Sequence, residues 1–152
     1  MPAQPPINNH TEMRKILSFF TFLFVIGFCA GQNLPAEATS FVSTYYPNNH
    51  ITSVAQYPAP SEFAYRVELD MNVVIFFDAN GRWIIIESFE QGIPSTLLTQ
   101  KQKAYIESLG YNLRAVGKLN RKAGDSILLI MEDGAGYRFD AAGNFMRTEM
   151  EE

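Results

Sequence analysis

Asp78-Ala79-Asn80-Gly81-Arg82-Trp83 recurs later in the chain as Asp140-Ala141-Ala142-Gly143-Asn144-Phe145, and each copy follows an apolar stretch. A near-repeat at this spacing indicates one structural unit used twice, because neighbouring copies can bury a shared apolar face. We therefore predict two tandem repeats, at about residues 34–91 and 93–150. Together they form a single domain over residues 32–152, which is long enough to build a core of its own.

The segments around each copy predict one helix followed by four short strands. Residues 35–46 carry apolar residues at helical spacing behind a first-turn proline, and Pro94 opens a second such segment that Gly110 ends. Short runs rich in Val, Ile, Phe, Tyr and Trp follow each helix and are typical of strands. The predicted strands are Ile51–Gln56, Phe63–Leu69, Val73–Phe77, Arg82–Phe89, Tyr111–Leu119, Ser126–Met131, Ala135–Phe139 and Asn144–Thr148.

Three-residue turns between these strands fix which residues lie opposite each other. A turn of this kind commonly ends in the left-handed region, where Gly and Asn are least strained. The predicted turns are Asp70-Met71-Asn72, Ala79-Asn80-Gly81, Glu132-Asp133-Gly134 and Ala141-Ala142-Gly143, with Lys122-Ala123-Gly124 as a fifth candidate. They pair Leu69 with Val73, Val67 with Ile75, Phe77 with Trp83, Ile75 with Ile85, Met131 with Ala135, Leu129 with Tyr137, and Phe139 with Phe145.

Side chains alternate between the two faces of a sheet, so this pairing collects one strongly apolar face. We expect both helices to cover that face. Its predicted members are Tyr65, Val67, Leu69, Ile75, Phe77, Trp83, Ile127, Leu129, Met131, Tyr137, Phe139 and Phe145. The predicted fold is therefore α+β, with two helix-plus-antiparallel-strand repeats forming one sheet and the helices on one side of it.

The opposite face carries more apolar residues than a solvated sheet face should. A contiguous exposed apolar patch usually marks an interaction site, for a partner or for a second copy of the chain. The alternative is that loops or the second helix cover this face, or that the central strands are apolar on both sides. The predicted partner-binding residues are Val74, Phe76, Ile84, Ile86, Leu128, Ile130, Arg138 and Met146.

No residue pattern predicts catalysis, a cofactor or a metal site. His50 is the one histidine after residue 31, which is too few for a zinc site, and no serine nucleophile motif accompanies it. Asp78 begins a turn that lacks the remaining ligands of a calcium loop, so we predict a turn. The net charge of −4 and the absence of a basic run argue against nucleic acid or anionic lipid as partners. We expect a protein that is not an enzyme.

Residues 1–31 are predicted to contain an N-terminal extension and a secretory signal. Arg14-Lys15 precedes the apolar run Ile16–Ala30, which ends in small residues. This run is shorter than the roughly 20 residues of a membrane-spanning helix, so we expect no stable membrane span. Cleavage near Gly31 would release a periplasmic or secreted chain, and Met13 is the expected start of translation.

Cys29 raises the alternative of a lipoprotein. Phe28 stands where the lipid-attachment motif needs Gly, Ala or Ser, which disfavours lipidation. The chain beyond residue 31 contains no cysteine, so packing has to supply its stability without disulfide bonds.

The order of several motifs resembles that of the PepSY-like, beta-lactamase-inhibitor-like proteins of bacterial envelopes. These motifs are Leu34-Pro35, Phe41-Val42, Tyr46-Pro47-Asn48, Tyr65–Leu69, Phe76–Trp83 and Ile93-Pro94. The turn after Leu69 departs from the pattern, because Met71-Asn72 stands where a glycine is expected. The resemblance implies a beta-lactamase-inhibitor-protein-like α+β fold, export to the periplasm, and no catalytic residues.

From these observations we expect a non-enzymatic exported binding module without a cofactor. It would engage an unknown envelope protein or peptide through the uncovered sheet face, with inhibition of that partner as one role. The alternative is a small-ligand carrier with a pocket between helix and sheet.

Overall fold

The computed structural model describes residues 34–121 and 124–149, and for 120, 121 and 124 it describes the backbone only. Across these residues the chain forms two α-helices and eight β-strands. Helix α1 spans Ala36–Tyr45 and helix α2 spans Gln100–Leu109. The strands are β1 Ile51–Gln56, β2 Tyr65–Leu69, β3 Val73–Phe77, β4 Trp83–Ser88, β5 Leu113–Arg121, β6 Gly124–Met131, β7 Gly136–Asp140 and β8 Phe145–Glu149.

All eight described strands lie in one antiparallel sheet, in the same order as in the sequence. Each repeat contributes one helix followed by four strands, and β4 pairs with β5 to join the two repeats. The predicted α+β class and the single antiparallel sheet are therefore confirmed. The export signal within residues 1–31, with its start at Met13, its cleavage near Gly31 and the lipidation question at Cys29, lies outside the described residues. So does most of the predicted turn at Lys122-Ala123-Gly124.

Turn chemistry predicted most of the strand register correctly. Gly81, Gly134 and Gly143 have φ values of 84°, 87° and 79°, and Met71 and Asn72 also lie in the left-handed region. The confirmed pairs are Leu69 with Val73, Val67 with Ile75, Phe77 with Trp83, Leu129 with Tyr137, and Phe139 with Phe145. The carboxylate of the aspartate that begins each repeated turn accepts hydrogen bonds from backbone N–H groups of that turn.

A β-bulge makes one predicted pair wrong. Ile75 lies opposite Ile86, because the register shifts between Phe76 and Phe77 and leaves Ile84 as an extra residue on β4. A bulge sets two residues against one and so moves the following side chains to the other face. Ile86 consequently lies among the buried core residues with 0% exposure, where we had expected Ile85.

The second repeat contains the same irregularity. The register shifts between Arg138 and Phe139, directly before the second copy of the turn, and Met146 is the extra residue on β8. The repeat therefore extends beyond the turn sequence to the bulge that follows it.

Helix α2 begins later than predicted. Pro94 precedes a short 3₁₀ turn at Ser95–Leu97, and the α-helix starts only at Gln100. Thr99 caps it, because its Oγ1 accepts a hydrogen bond from the Gln102 N–H at 3.3 Å while Gln102 Oε1 accepts one from the Thr99 N–H at 2.9 Å. This reciprocal capping satisfies two backbone donors and fixes the start of the helix. Gly110 ends α2 in the left-handed region, as predicted.

Both helices pack on the predicted apolar face of the sheet, which we call the helix face. The Phe41 ring of α1 lies 5.8 Å from Phe77, and the Tyr105 ring of α2 lies 5.4 Å from Phe139. Corresponding residues of the two repeats thus make corresponding contacts. Fully buried residues of this face include Val67, Val73, Ile75, Phe77, Ile86, Val116, Leu129 and Phe139.

Each repeated turn rests against the start of its own helix. A Cβ atom at Gly81 would lie 2.8 Å from the Ala38 nitrogen in α1 and 2.8 Å from the Pro35 Cβ. A Cβ atom at Gly143 would overlap Thr99 Oγ1, in the cap of α2. Glycine is therefore needed at both turns for close approach as well as for backbone conformation.

Candidate functional site

The candidate site is the face of the sheet opposite the helices, which we call the open face. Cross-strand pairing arranges its side chains in two parallel rows that cross all eight described strands. The first row is Ala55, Arg66, Phe76, Ile85, Gly117, Leu128, Arg138 and Arg147. The second row is Ser53, Glu68, Val74, Glu87, Ala115, Ile130, Gly136 and Glu149.

Ion pairs flank an apolar middle in these rows. On β2, Arg66 pairs with Glu68 across the two rows. On the other side, Arg138 lies 2.6 Å from Glu149, which also binds Arg147 at 3.0 Å. The Arg138 and Glu149 side chains are only 10% and 7% exposed, so this pair is buried although it lies on the open face.

The apolar middle contains a shallow trough along β5. Ala115 and Gly117 are the β5 residues in the two rows, and larger side chains of β4 and β6 stand on either side. A Cβ atom added to Gly117 would meet one neighbour, Ile85, at an ordinary contact distance of 3.7 Å. The trough walls, Ile85 on β4 and Ile130 on β6, are half-buried. Gly117 is half-buried as well, whereas Ala115 is only 4% exposed, so side chains of a partner can reach the walls and the part of the floor at Gly117.

Phe76 is less accessible than the sequence suggested. Its side chain is 8% exposed, because the Phe63 ring lies 5.3 Å away and the Arg66 guanidinium lies 5.9 Å from the Phe76 ring. Leu128, at 5% exposure, is similarly covered by its neighbours. Phe76 and Leu128 therefore pack beneath the open face and offer little surface for direct contact with a partner. The expectation that a loop covers part of this face holds for Phe63.

Five of the eight predicted partner-binding residues lie in the two rows: Val74, Phe76, Leu128, Ile130 and Arg138. Ile86 does not, because the β4 bulge turns it into the core. Ile84 and Met146 are the extra residues of the two bulges and lie outside the rows. Ile85, Glu87, Ala115 and Gly117 were not among the predicted residues. For Ile85 and Glu87 the reason is that no alternation within Ile84-Ile85-Ile86 shows where the register changes.

Glu87 is the charged residue within the apolar middle of the rows. Burial raises the pKa of its carboxyl group, and the positive charges of Arg114 and Arg66 oppose that rise. Arg114 itself stacks over the Phe89 ring at 4.7 Å. A partially desolvated carboxylate of this kind gains stability from a cationic group brought close to it.

The repeated aspartates act as turn formers. Asp78 Oδ1 accepts hydrogen bonds from the N–H groups of Asn80 and Arg82, both at 2.9 Å, and Oδ2 accepts one from Arg82 Nε at 2.9 Å. Asp140 repeats this arrangement with Ala142 and Asn144, at 3.0 Å and 2.8 Å to Oδ1 and 2.9 Å from Asn144 Nδ2 to Oδ2. Both oxygens of each carboxylate are thus engaged in the turn, as a structural role requires.

Because these bonds favour the charged form, Asp140 should give stability a pH dependence. Hydrogen bonds from the Asn144 side chain and backbone hold the pKa of Asp140 below its ordinary value of 3.8. Its contribution is therefore complete above that value and is lost as the pH falls through the lower folded-state pKa. We expect the stability advantage of the native chain over Asp140→Asn to shrink from about pH 4 downward, in urea unfolding. Asp125→Asn, at an exposed position on β6, is the control, and a pH-independent advantage for Asp140 would contradict the assignment.

His50 belongs to a polar network rather than to a catalytic arrangement. Its Nδ1 lies 3.2 Å from Asp70 Oδ2, and its side chain is 88% exposed. Asn49 Nδ2 donates to Asp70 Oδ1 at 2.7 Å and to Gln91 Oε1 at 2.9 Å. The network ties the turn between β2 and β3 to the segments after α1 and β4. Among the described residues no group of three or more His, Cys, Asp or Glu side chains could hold a metal ion.

The fold occurs in other solved structures. One is a predicted periplasmic protein of unknown function from Bacteroides vulgatus, with 22% identity and a TM-score of 0.67, covering 77% of this chain and 92% of that protein. A second from the same organism, of the DUF2874 family, has 18% identity and a TM-score of 0.64, covering 76% and 90%. A third, a predicted calcium-regulated periplasmic protein from Bacteroides thetaiotaomicron, has 12% identity and a TM-score of 0.67, covering 77% of this chain and 91% of that protein.

At these identities the likeness shows a common fold. No family model matches the chain, and no curated protein matches it. Within the described part of the chain, no helix is both long and apolar enough to cross a membrane.

Proposed function

We propose that this protein is an exported, non-enzymatic binding module that holds a protein or peptide on its open face. The observation that carries the proposal is the apolar middle of the two rows, with its trough along β5. The ion pair of Arg66 with Glu68 lies on one side of it, and Glu149 with its two arginines lies on the other. Apolar contact surface framed by polar groups is the usual composition of a protein interface.

The packing of the helix face favours this proposal over a small-ligand carrier. A carrier needs an apolar cavity of several hundred Å³. Between the described helices and the sheet, the space is occupied by aromatic side chains of both layers, including Phe41, Phe77, Tyr105 and Phe139. Phe77 and Phe139 have exposures of 0% and 1%.

The open face also suggests the chemistry of the partner. An apolar side chain would fill the trough between Ile85 and Ile130, and a Lys or Arg of the partner would compensate the partially desolvated Glu87. We therefore propose a segment that combines apolar and basic residues. Such a segment matches the surface in charge as well as in shape.

Export to the periplasm belongs to the same proposal. The charged and apolar segments of residues 14–31 support it, and so do the similar folds that are described as periplasmic. Kinship with PepSY-like, beta-lactamase-inhibitor-like proteins is proposed from the motif order, and inhibition of the partner would follow if the bound segment were part of an active site.

Photocrosslinking in intact cells tests the proposal. A photoreactive amino acid is placed at Ile85 or Ile130 on the open face, and at Tyr111, which is 53% exposed in the turn before β5, as the control. We expect both open-face positions to give one conjugate of the same mass and Tyr111 to give none. Equal products at all three positions, no product, or a conjugate of two copies of this chain would overturn the proposal.

A variant that fills the trough makes the test specific. Gly117→Leu places a side chain where a Cβ atom meets only Ile85, at 3.7 Å, so the fold should tolerate it with a change in stability of less than about 1 kcal/mol. We expect the Ile130 conjugate to fall at least tenfold, by about 1.4 kcal/mol or more in binding. An unchanged yield in a folded Gly117→Leu variant would show that the trough is not the contact site.

A further inference from the structure

The described sheet has two edge strands, β1 and β8. An edge strand presents unpaired backbone N–H and C=O groups that can pair with another chain. On β1 these groups can be assigned from the ladder with β2. Tyr57 N–H donates to the Ala64 carbonyl at 2.9 Å, in continuation of the pairs Gln56 with Tyr65 and Ala55 with Arg66. Because the direction alternates along an antiparallel strand, Ser53 and Ala55 bond to β2, while Val54 and Gln56 point their backbone groups outward.

Strand β1 itself lacks the charged side chains and the proline that usually prevent pairing. Its sequence, Ile51-Thr52-Ser53-Val54-Ala55-Gln56, contains no charged residue and no proline. Ile51 is 42% exposed, and Thr52 and Gln56 are exposed as well. A register irregularity affects the start of the strand, between Ile51 and Ser53, and the pairs from Ser53 to Gln56 are regular.

The opposite edge is protected. Strand β8 carries Arg147 and Glu149, and a bulge interrupts its pairing with β7. Charged side chains and bulges are the common means of blocking an edge. The two edges of this sheet therefore differ in their capacity to pair.

We propose that two copies of this chain associate through β1, antiparallel about a twofold axis, so that two eight-stranded sheets become one. The outward backbone groups of Val54 and Gln56 pair with their equivalents in the second copy. The twofold axis can pass next to Val54 or next to Gln56. In either case the β1 side chains that face each other across the junction are uncharged. A contact between β1 of one copy and β8 of the next would leave one β1 edge and one β8 edge unpaired, so copies could continue to add. The twofold contact instead pairs the β1 edges of both copies with each other and forms a closed dimer.

Charge substitution at the edge tests the dimer. Thr52→Lys with Gln56→Lys places like charges across the two-stranded junction, which is unfavourable in a β-ladder. In sedimentation velocity of the exported chain purified from the envelope, we expect a dimer for the native protein and at least a tenfold weaker dimer for this variant. The matched control, Met146→Lys with Thr148→Lys on exposed positions of β8, should dimerise like the native chain.

A mixing experiment separates loss of pairing from loss of folding. Thr52→Glu with Gln56→Glu should also be monomeric alone, and its mixture with the double lysine variant should form a heterodimer. A native chain that stays monomeric at about 100 μM, a dimer that is unaffected by the β1 charges, or a dimer that is lost with the β8 control would each overturn the proposal. Failure of the two oppositely charged variants to associate in the mixture would overturn it as well.

Discussion

The Gly81→Ala variant is expected to lose about 2–4 kcal/mol of unfolding free energy, far more than a turn residue usually costs. The left-handed backbone contributes about 1–2 kcal/mol of this loss. The remainder comes from overpacking, since the new Cβ would lie 2.8 Å from the Ala38 nitrogen and from the Pro35 Cβ. A backbone atom at the start of α1 cannot rotate away, so the turn and the helix have to separate.

Gly134→Ala is the matched control for this prediction. Gly134 has a φ of 87°, against 84° for Gly81, but a Cβ atom there would meet nothing within 4 Å. The Gly134→Ala variant should therefore lose only the roughly 1–2 kcal/mol of unfolding free energy that the left-handed backbone costs a residue with a side chain. Urea unfolding of both variants gives the comparison. Equal losses for the two variants would mean that the docking of the turn on α1 contributes nothing to stability.

The Glu149→Ala variant is expected to lose about 3–5 kcal/mol, although Glu149 lies on the open face. Its carboxylate lies 2.6 Å from Arg138 and 3.0 Å from Arg147, and the Arg138 side chain is only 10% exposed. Removal of Glu149 takes an opposite charge away from a buried guanidinium. Weaker compensation of a buried charge costs more than the intact pair contributes.

Two further variants test this explanation. Arg138→Met combined with Glu149→Leu removes both charges and should restore stability to within about 1.5 kcal/mol of the native chain. Arg82→Ala removes a pair with Asp78 in which the Arg82 side chain is 63% exposed, and it should cost less than about 1 kcal/mol. If the double variant were as unstable as Glu149→Ala, the loss would reflect packing at β8 and not the charge on Arg138.

Much of the fold could be predicted from the sequence because turn residues and apolar alternation agree. Asn and Gly at the ends of three-residue turns fixed the pairs around Val67, Phe77, Leu129 and Phe139, and these pairs define the helix face. The predicted start of α2 at Pro94 was wrong. A proline is a stronger signal in the sequence than the pair Thr99 and Gln102, whose reciprocal hydrogen bonds fix the observed start.

The open face was harder to predict for two physical reasons. Ile84-Ile85-Ile86 has the same polarity at three successive positions, so the alternation could not show that a bulge had moved Ile86 into the core. Arg138 was assigned to a partner because its ion pair is diagonal: Arg147 lies directly opposite, and Glu149 lies two residues further along β8. A diagonal contact depends on the register and on side-chain conformation, and neither is encoded in local sequence.

The sequential strand order has a consequence for how this sheet assembles. Each inner strand pairs with the strand before it and the strand after it, so the ladders within each repeat close only short loops of chain. The ladder between β4 and β5 closes a longer loop, which contains helix α2. Folding with such local pairings is fast for a β-rich protein, because little chain entropy is lost before the contacts form. Within each repeat the growing sheet therefore extends one hairpin at a time, with the next strand of its own chain available at its free edge.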